Sequence, residues 1–245
     1  MKTIRKEEFY QKKNCQDWQE ALKIDNFEKH WLKNWAKIDG EFYYIKELCN
    51  YNEIIGELIA NSLNLKSSHY EIGKYKKKLK YMTKNFKEDG KEYLKIYETE
   101  FHNKDNILDL MDRDLKNEVL KMYALDIFMM QADRCNINVM FEKENGKLKL
   151  APLYDYSCAY LEIYNNFIAY RNCIQNLYMN EKDINEFMNK YPIMYNYLQI
   201  IDNTDYLKLL KDELLKYEIE LKKREEDYIE REFNEGHMLV KRMVN

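Results

Sequence analysis

Glycine and proline are scarce, six and two residues among 245. So few breakers favour long helices and exclude a many-turned β-sandwich. Histidine is also rare, four scattered residues, which argues against a zinc centre. The five cysteines (15, 49, 135, 158 and 173) include no CxxC pair and are odd in number. Reduced thiols and a cytoplasmic setting are therefore expected, not a disulfide framework. No apolar run reaches the roughly 18 residues of a membrane span, and "MKTIRKEEFYQKKN" lacks the apolar core of a secretory signal. The formal net charge of -3 gives no global pull toward nucleic acid or a membrane, and neither is expected as a partner.

What is present is an ordinary globular composition, 45% hydrophobic and 34% charged, in a chain long enough for one large domain or two lobes. The first thirty residues read as helical, with Trp18, Leu22 and Ile24 as buried candidates. Asp39-Gly40 is a two-residue turn signal between strands at about 33–38 and 41–46. In "YNEIIGELIANSLNL" the apolar residues Ile54, Ile55, Leu58, Ile59 and Leu63 fall at helical spacing. "HYEI" and "KKLKYMTKNF" read as strands. The lysine run at 74–80 reads as a solvated strand face, with a nucleic-acid or acidic-partner patch as the other reading. From about residue 104 the chain turns helical, interrupted by "INVMFEK", an Asn145-Gly146 turn and "KLKLAPL". A long charged helix is expected over about 204–233. The sum is an α+β plan, a sheet-plus-helix lobe at 1–86 and a larger helical lobe at 87–245.

Three polar residues flank the second hairpin. Asp133 and Asn138 sit on a loop leaving an apolar helix, and Asp155 lies just past the returning strand. Antiparallel strands bring the chain back to its start, so Asp155 should return near Asn138. A carboxylate near an attacking hydroxyl, and oxygen ligands for magnesium, are what phosphoryl transfer needs. Lys46, closing its strand, could steady nucleotide phosphates, with Glu53 or Glu57 on the next helix as its partner.

The segment "LDIFMMQADRCNINVMFEKENGKLKLAPLYDY" resembles the catalytic core of the HipA-like kinases, which carry an Asp-Arg-His-x-x-Asn loop, a hairpin and Leu-Ala-Pro-x-Tyr-Asp. "FYYIKE" with the helix after it is similar to that family's ATP-lysine strand, and "YMTKNF" to its interlobe strand. The likeness spans roughly residues 32 to 160. It implies a two-lobed protein-kinase-like fold, with ATP and Mg as cofactors. Asp133 would be the catalytic base, Asn138 and Asp155 the magnesium ligands and Lys46 the phosphate contact, with Glu53 beside it. The backbone from Thr83 and Lys84 to Phe86 would hold adenine. The implied activity is phosphorylation of protein Ser or Thr, possible targets being a translation factor or an aminoacyl-tRNA synthetase, and an antitoxin protein would be a partner.

The chain departs from that pattern in several ways. Cys135 replaces the loop histidine, no glycine-rich segment precedes "EFYYIK", and the family's regulatory serine is missing. The chain also lacks the N-terminal subdomain of longer members, so a minimal kinase core is expected. A small-molecule or lipid kinase on the same scaffold, and a pseudokinase binding module, are the other readings.

Overall fold

The computed structural model describes residues 1–22, 32–101, 107–131, 134, 138–157, 159, 171–172, 177–178 and 181–244. By packing, the chain divides into two units, residues 1–51 with 68–91 and residues 52–67 with 92–245.

The first unit is built on a five-stranded sheet in the order β1-β4-β5-β3-β2. The strands are β1 (Lys2–Thr3), β2 (Trp35–Ile38), β3 (Glu41–Glu47), β4 (Tyr70–Tyr75) and β5 (Lys78–Lys84). All neighbours are antiparallel except β1 on β4. Asp39 and Gly40 turn β2 into β3 with φ of 52 and 86, the left-handed pair that a two-residue hairpin demands. Ile4, Ala36, Ile38, Tyr43, Ile45 and Met82 form one core cluster of this unit. A second cluster, Trp18, Leu22 and Leu32, includes side chains of α1 (Cys15–Leu22).

The first fourteen residues correct the helical expectation. They supply β1 and two short 3-10 turns, because alternating Lys2, Thr3 and Ile4 extend the sheet edge along β4, where Ile4 N–H donates to the Lys74 carbonyl at 2.8 Å. Ile24 lies outside the described residues.

The second unit is centred on α4 (Arg113–Phe128). Asp112 caps its start, accepting the Leu115 N–H at 2.9 Å. Leu115, Val119, Met122, Tyr123 and Phe128 are buried along it. Against α4 pack α2 (Asn52–Ser62), α6 (Ile193–Asp202) and α8 (Lys223–Val244). A three-stranded antiparallel sheet, β6 (Glu92–Lys95), β7 (Met140–Glu144) and β8 (Lys147–Leu150), completes the layer beside them. Also in this unit are α3 (Ile107–Leu110), α5 (Glu181–Lys190) and α7 (Tyr206–Leu215).

Three boundaries differ from the sequence reading. The helix α2 groups with the helical unit, and the first unit runs on to Lys91, so the division differs from the expected break after residue 86. The hairpin at 140–150 is joined by β6, so its sheet has three strands. The expected single helix over 204–233 is two. Glu218 has φ of 59, and the N–H groups of Glu218 and Ile219 turn back onto the carbonyls of Leu215 and Leu214 at 3.0 and 3.2 Å. That left-handed cap stops α7 without a glycine. Within α8 Lys223 meets Asp227 at 2.8 Å one turn on, and Lys211 of α7 pairs with Glu226 of α8. Among the described residues no helix is long and apolar enough to cross a membrane.

Candidate active site

The second unit answers the question set by the hairpin. The helix α4 ends at Phe128, and Met130, in the left-handed region with φ of 46, turns the chain out. Four residues later the Arg134 side chain folds back into the core, only 1% exposed. Its Nε and Nη2 donate to the Asp126 carboxylate at 3.0 to 3.2 Å. Its Nη1 donates to two main-chain carbonyls, Asn138 at 3.2 Å and Tyr154 at 3.0 Å. One guanidinium therefore ties the start of the hairpin to its end. Its plane lies 5.4 Å from the centre of the Tyr156 ring. Burial works against the Arg134 charge, and the Asp126 carboxylate more than offsets it, so the guanidinium titrates above its ordinary range.

Asp155 is held from both sides. Its carbonyl accepts the Gln131 side-chain amide at 2.9 Å, and the next N–H, of Tyr156, donates to Glu53 Oε2 at 3.0 Å. Ser157 donates its hydroxyl to Asp155 Oδ1 at 2.9 Å. The backbone is left-handed there, with φ of 62, a conformation that aspartate adopts more readily than most residues and that clusters at functional sites. Asp155 is half-buried and Asn138 is buried, 5% exposed.

Beneath this turn the Tyr156 ring lies directly on α2. The Tyr156 hydroxyl is 3.0 Å from Ser67 Oγ, and burial raises it well above its ordinary range despite Arg134. A Cβ placed on Gly56 would stand 2.3 Å from the ring. Gly56→Ala is thus expected to lower stability by about 1–3 kcal/mol, the usual effect of overpacking, and to shift the Asp155 turn. Chemical denaturation checks the first effect, and the Asp155 amide resonance in NMR checks the second.

The sequence-predicted residues fall as follows. Arg134 joins the main chain at Asn138 to that at Tyr154, the residue before Asp155. Glu53 is buried and binds the Asp155–Tyr156 turn through the Tyr156 N–H. Asp133 and Cys135 lie outside the described residues. In the first unit, Lys46 pairs across the ladder with Tyr81, and Tyr44 with Thr83, so all four share one sheet face. The Thr83 Oγ1 is buried there with no hydrogen-bond partner among the described residues. Lys84 is exposed and pairs with Glu41 at 3.1 Å. The Asn85 N–H is engaged by the Phe42 carbonyl at 2.9 Å, which removes it from the backbone groups expected to meet adenine. Gln131 and the acid partner of Arg134 were not singled out in the sequence. The signal available was Asp126, a lone acid on an apolar stretch of helix.

An amide oxygen and a carboxylate are hard donors of the kind magnesium takes, and one or two carboxylates with nucleotide phosphates suffice for it. Among the described residues no group of three or more His, Cys, Asp or Glu side chains could hold a metal unaided. The donor set fits a metal bound together with phosphate.

No family model and no curated protein sequence matches the chain. Solved structures do. HipA of Shewanella oneidensis MR-1, from a toxin–antitoxin complex with HipB and operator DNA, matches with a TM-score of 0.56 at 11% identity over 84% of this chain. The fold resembles that of HipA. The Helicobacter pylori proinflammatory kinase CtkA matches with a TM-score of 0.51 at 18% identity, over 86% of this chain and 91% of its own. Against HipA this chain spans 58% of the length. The two units together have the α+β character expected from the sequence, and the likeness to these kinases is the fold likeness expected there.

Proposed function

We propose that the chain is an ATP- and magnesium-dependent protein Ser/Thr kinase. The observation that supports this most is the Arg134 guanidinium bonded to both the Asn138 and Tyr154 main-chain carbonyls, which joins the backbone at the two ends of the hairpin, where Asn138 and Asp155 stand. Asn138 and Asp155 would hold the magnesium. When bound, magnesium neutralises charge on the phosphates as the γ-phosphoryl group moves. Asp133 accepts the proton of the attacking hydroxyl. Lys46 contributes a fixed positive charge to the nucleotide phosphates, and Thr83 Oγ1 is a free polar group for the base end. Glu53, Gln131 and Ser157 hold the Asp155 turn in its left-handed form. An antitoxin-like protein as partner, and a component of translation as substrate, are the corresponding proposals for partner and target.

Magnesium-dependent binding separates this from a pseudokinase, the reading suggested by Cys135 and the missing glycine-rich segment. ATP with magnesium should raise the melting temperature clearly, since ligand at about 100 times its Kd adds about 2.7 kcal/mol, whereas ATP with chelator should raise it little. No shift in either condition would favour the pseudokinase. Transfer of labelled phosphate from ATP to lysate proteins, lost in Asp133→Ala, is the direct test of catalysis. Label appearing only in small molecules or lipid would redirect the substrate assignment.

A further inference from the structure

Three two-residue hairpin turns share one backbone in this chain, and one of them is made of the wrong residues. Asp39-Gly40 (φ 52 and 86) and Asn145-Gly146 (φ 51 and 77) use the pairs that left-handed turns favour. The β4–β5 turn has the same signs, φ 48 and 66, on Lys76 and Lys77. Lysine has no conformational reason to be there. A local rule broken without an evident structural gain marks a position retained for another purpose.

The surroundings define that purpose. Lys74, Lys76, Lys77 and Lys78 are all exposed. Among the described residues none of them forms an ion pair; Lys76 lies over the Tyr75 ring, and Lys78 acts on the Glu47 charge at longer range. Other exposed strand lysines do find partners, as Lys84 with Glu41, Lys143 with Glu92 and Lys149 with Glu144. Lys80, in the same strand, is paired with Glu47. The positive charge is therefore concentrated at the tip, in a chain whose net charge is -3. The tip also projects: β3 stops opposite Lys80 and β1 opposite Lys74, so residues 75–79 form a bare two-stranded ribbon.

We propose that this ribbon docks on the phosphate backbone of duplex nucleic acid, without reading its sequence. Lysine ammonium groups are compact point charges that bind phosphate oxygens without demanding a fixed geometry, which suits contact with a backbone and not with base edges. The major groove of B-form DNA admits a two-stranded β-ribbon, and that of duplex RNA is too narrow for one, so the duplex is DNA. The tip offers no exposed apolar residue for a membrane, since Tyr75 is half-buried against Phe9 and Leu79 is half-buried.

The test is fluorescence anisotropy of the full chain with a labelled duplex DNA across a salt series. Four lysine–phosphate contacts predict a loss of affinity on the order of 100-fold between about 50 and 200 mM salt. The decisive variant is K76N/K77G, which installs the residues the other hairpins use. It should melt at the same or a higher temperature, bind at least about tenfold more weakly at low salt and show a salt slope smaller by about 2. Replacing all four lysines with arginine should keep duplex binding. Duplex affinity unchanged in K76N/K77G overturns the proposal, as does tighter binding to polyglutamate or to phosphatidylserine vesicles than to the duplex.

Discussion

Arg134→Ala is expected to destabilise the second unit by about 3–5 kcal/mol, because it leaves the Asp126 carboxylate buried without its partner. The pair is 1% exposed on each side, so water cannot stand in for the guanidinium. The substitution also strips the donor from the Asn138 and Tyr154 carbonyls. These two effects separate in the double variant Asp126→Leu, Arg134→Met. An apolar pair of similar size removes the uncompensated charge and should recover much of the stability. It cannot rejoin the two carbonyls, so phosphotransfer should stay lost. Urea denaturation reads the first outcome and labelled-phosphate transfer the second. Recovery of both would mean that the guanidinium is only a core filler.

Asp155→Asn is expected to lower phosphotransfer by a factor on the order of 1,000, since a metal ligand supplies several kcal/mol and each 1.36 kcal/mol is tenfold. The φ of 62 at this residue allows a cleaner comparison. Asp155→Gly removes the carboxylate and the hydroxyl contact with Ser157 but relieves the left-handed backbone. Its stability should be equal to the wild type or higher by up to about 1 kcal/mol, with activity as low as in Asp155→Asn. Loss of activity with the fold intact assigns the effect to the carboxylate. An Asp155→Gly variant that transfers phosphate at the wild-type rate would remove Asp155 from the site.

Much of the fold was legible because its signals are local. Asp39-Gly40 and Asn145-Gly146 marked two of the three two-residue hairpins, and the helical spacing of Ile54, Ile55 and Ile59 marked α2. The misread parts depended on pairing at a distance. Nothing within residues 1–14 announces that Lys2 and Thr3 will lie along Gly73 and Lys74. Nor does "KYEIELKK" contain the glycine that ends most helices with a left-handed cap, so the break at Glu218 is silent in sequence. The grouping of α2 with the helical unit follows from packing on α4, α6 and α7, which helical periodicity does not encode.

The site shows the same division. Asn138 and Asp155 stood out as polar residues at the two ends of a hairpin, and antiparallel geometry predicted their return to one place. The means of holding them did not stand out. Arg134 takes as its partner Asp126, in the last turn of the buried helix α4, across the intervening turn. Gln131 carries no motif, yet its amide fixes the Asp155 carbonyl. Glu53 was expected beside Lys46, and its visible bond is to the Tyr156 N–H. Such supporting contacts join side chain to backbone across long stretches of sequence, and a single chain leaves no pattern of them to read.

The most direct measurement is a crystal structure grown with magnesium and a non-hydrolysable ATP analogue. The account predicts a metal touching the Asn138 amide oxygen, an Asp155 carboxylate oxygen and the nucleotide phosphates. A nucleotide bound with its metal away from both side chains would contradict it.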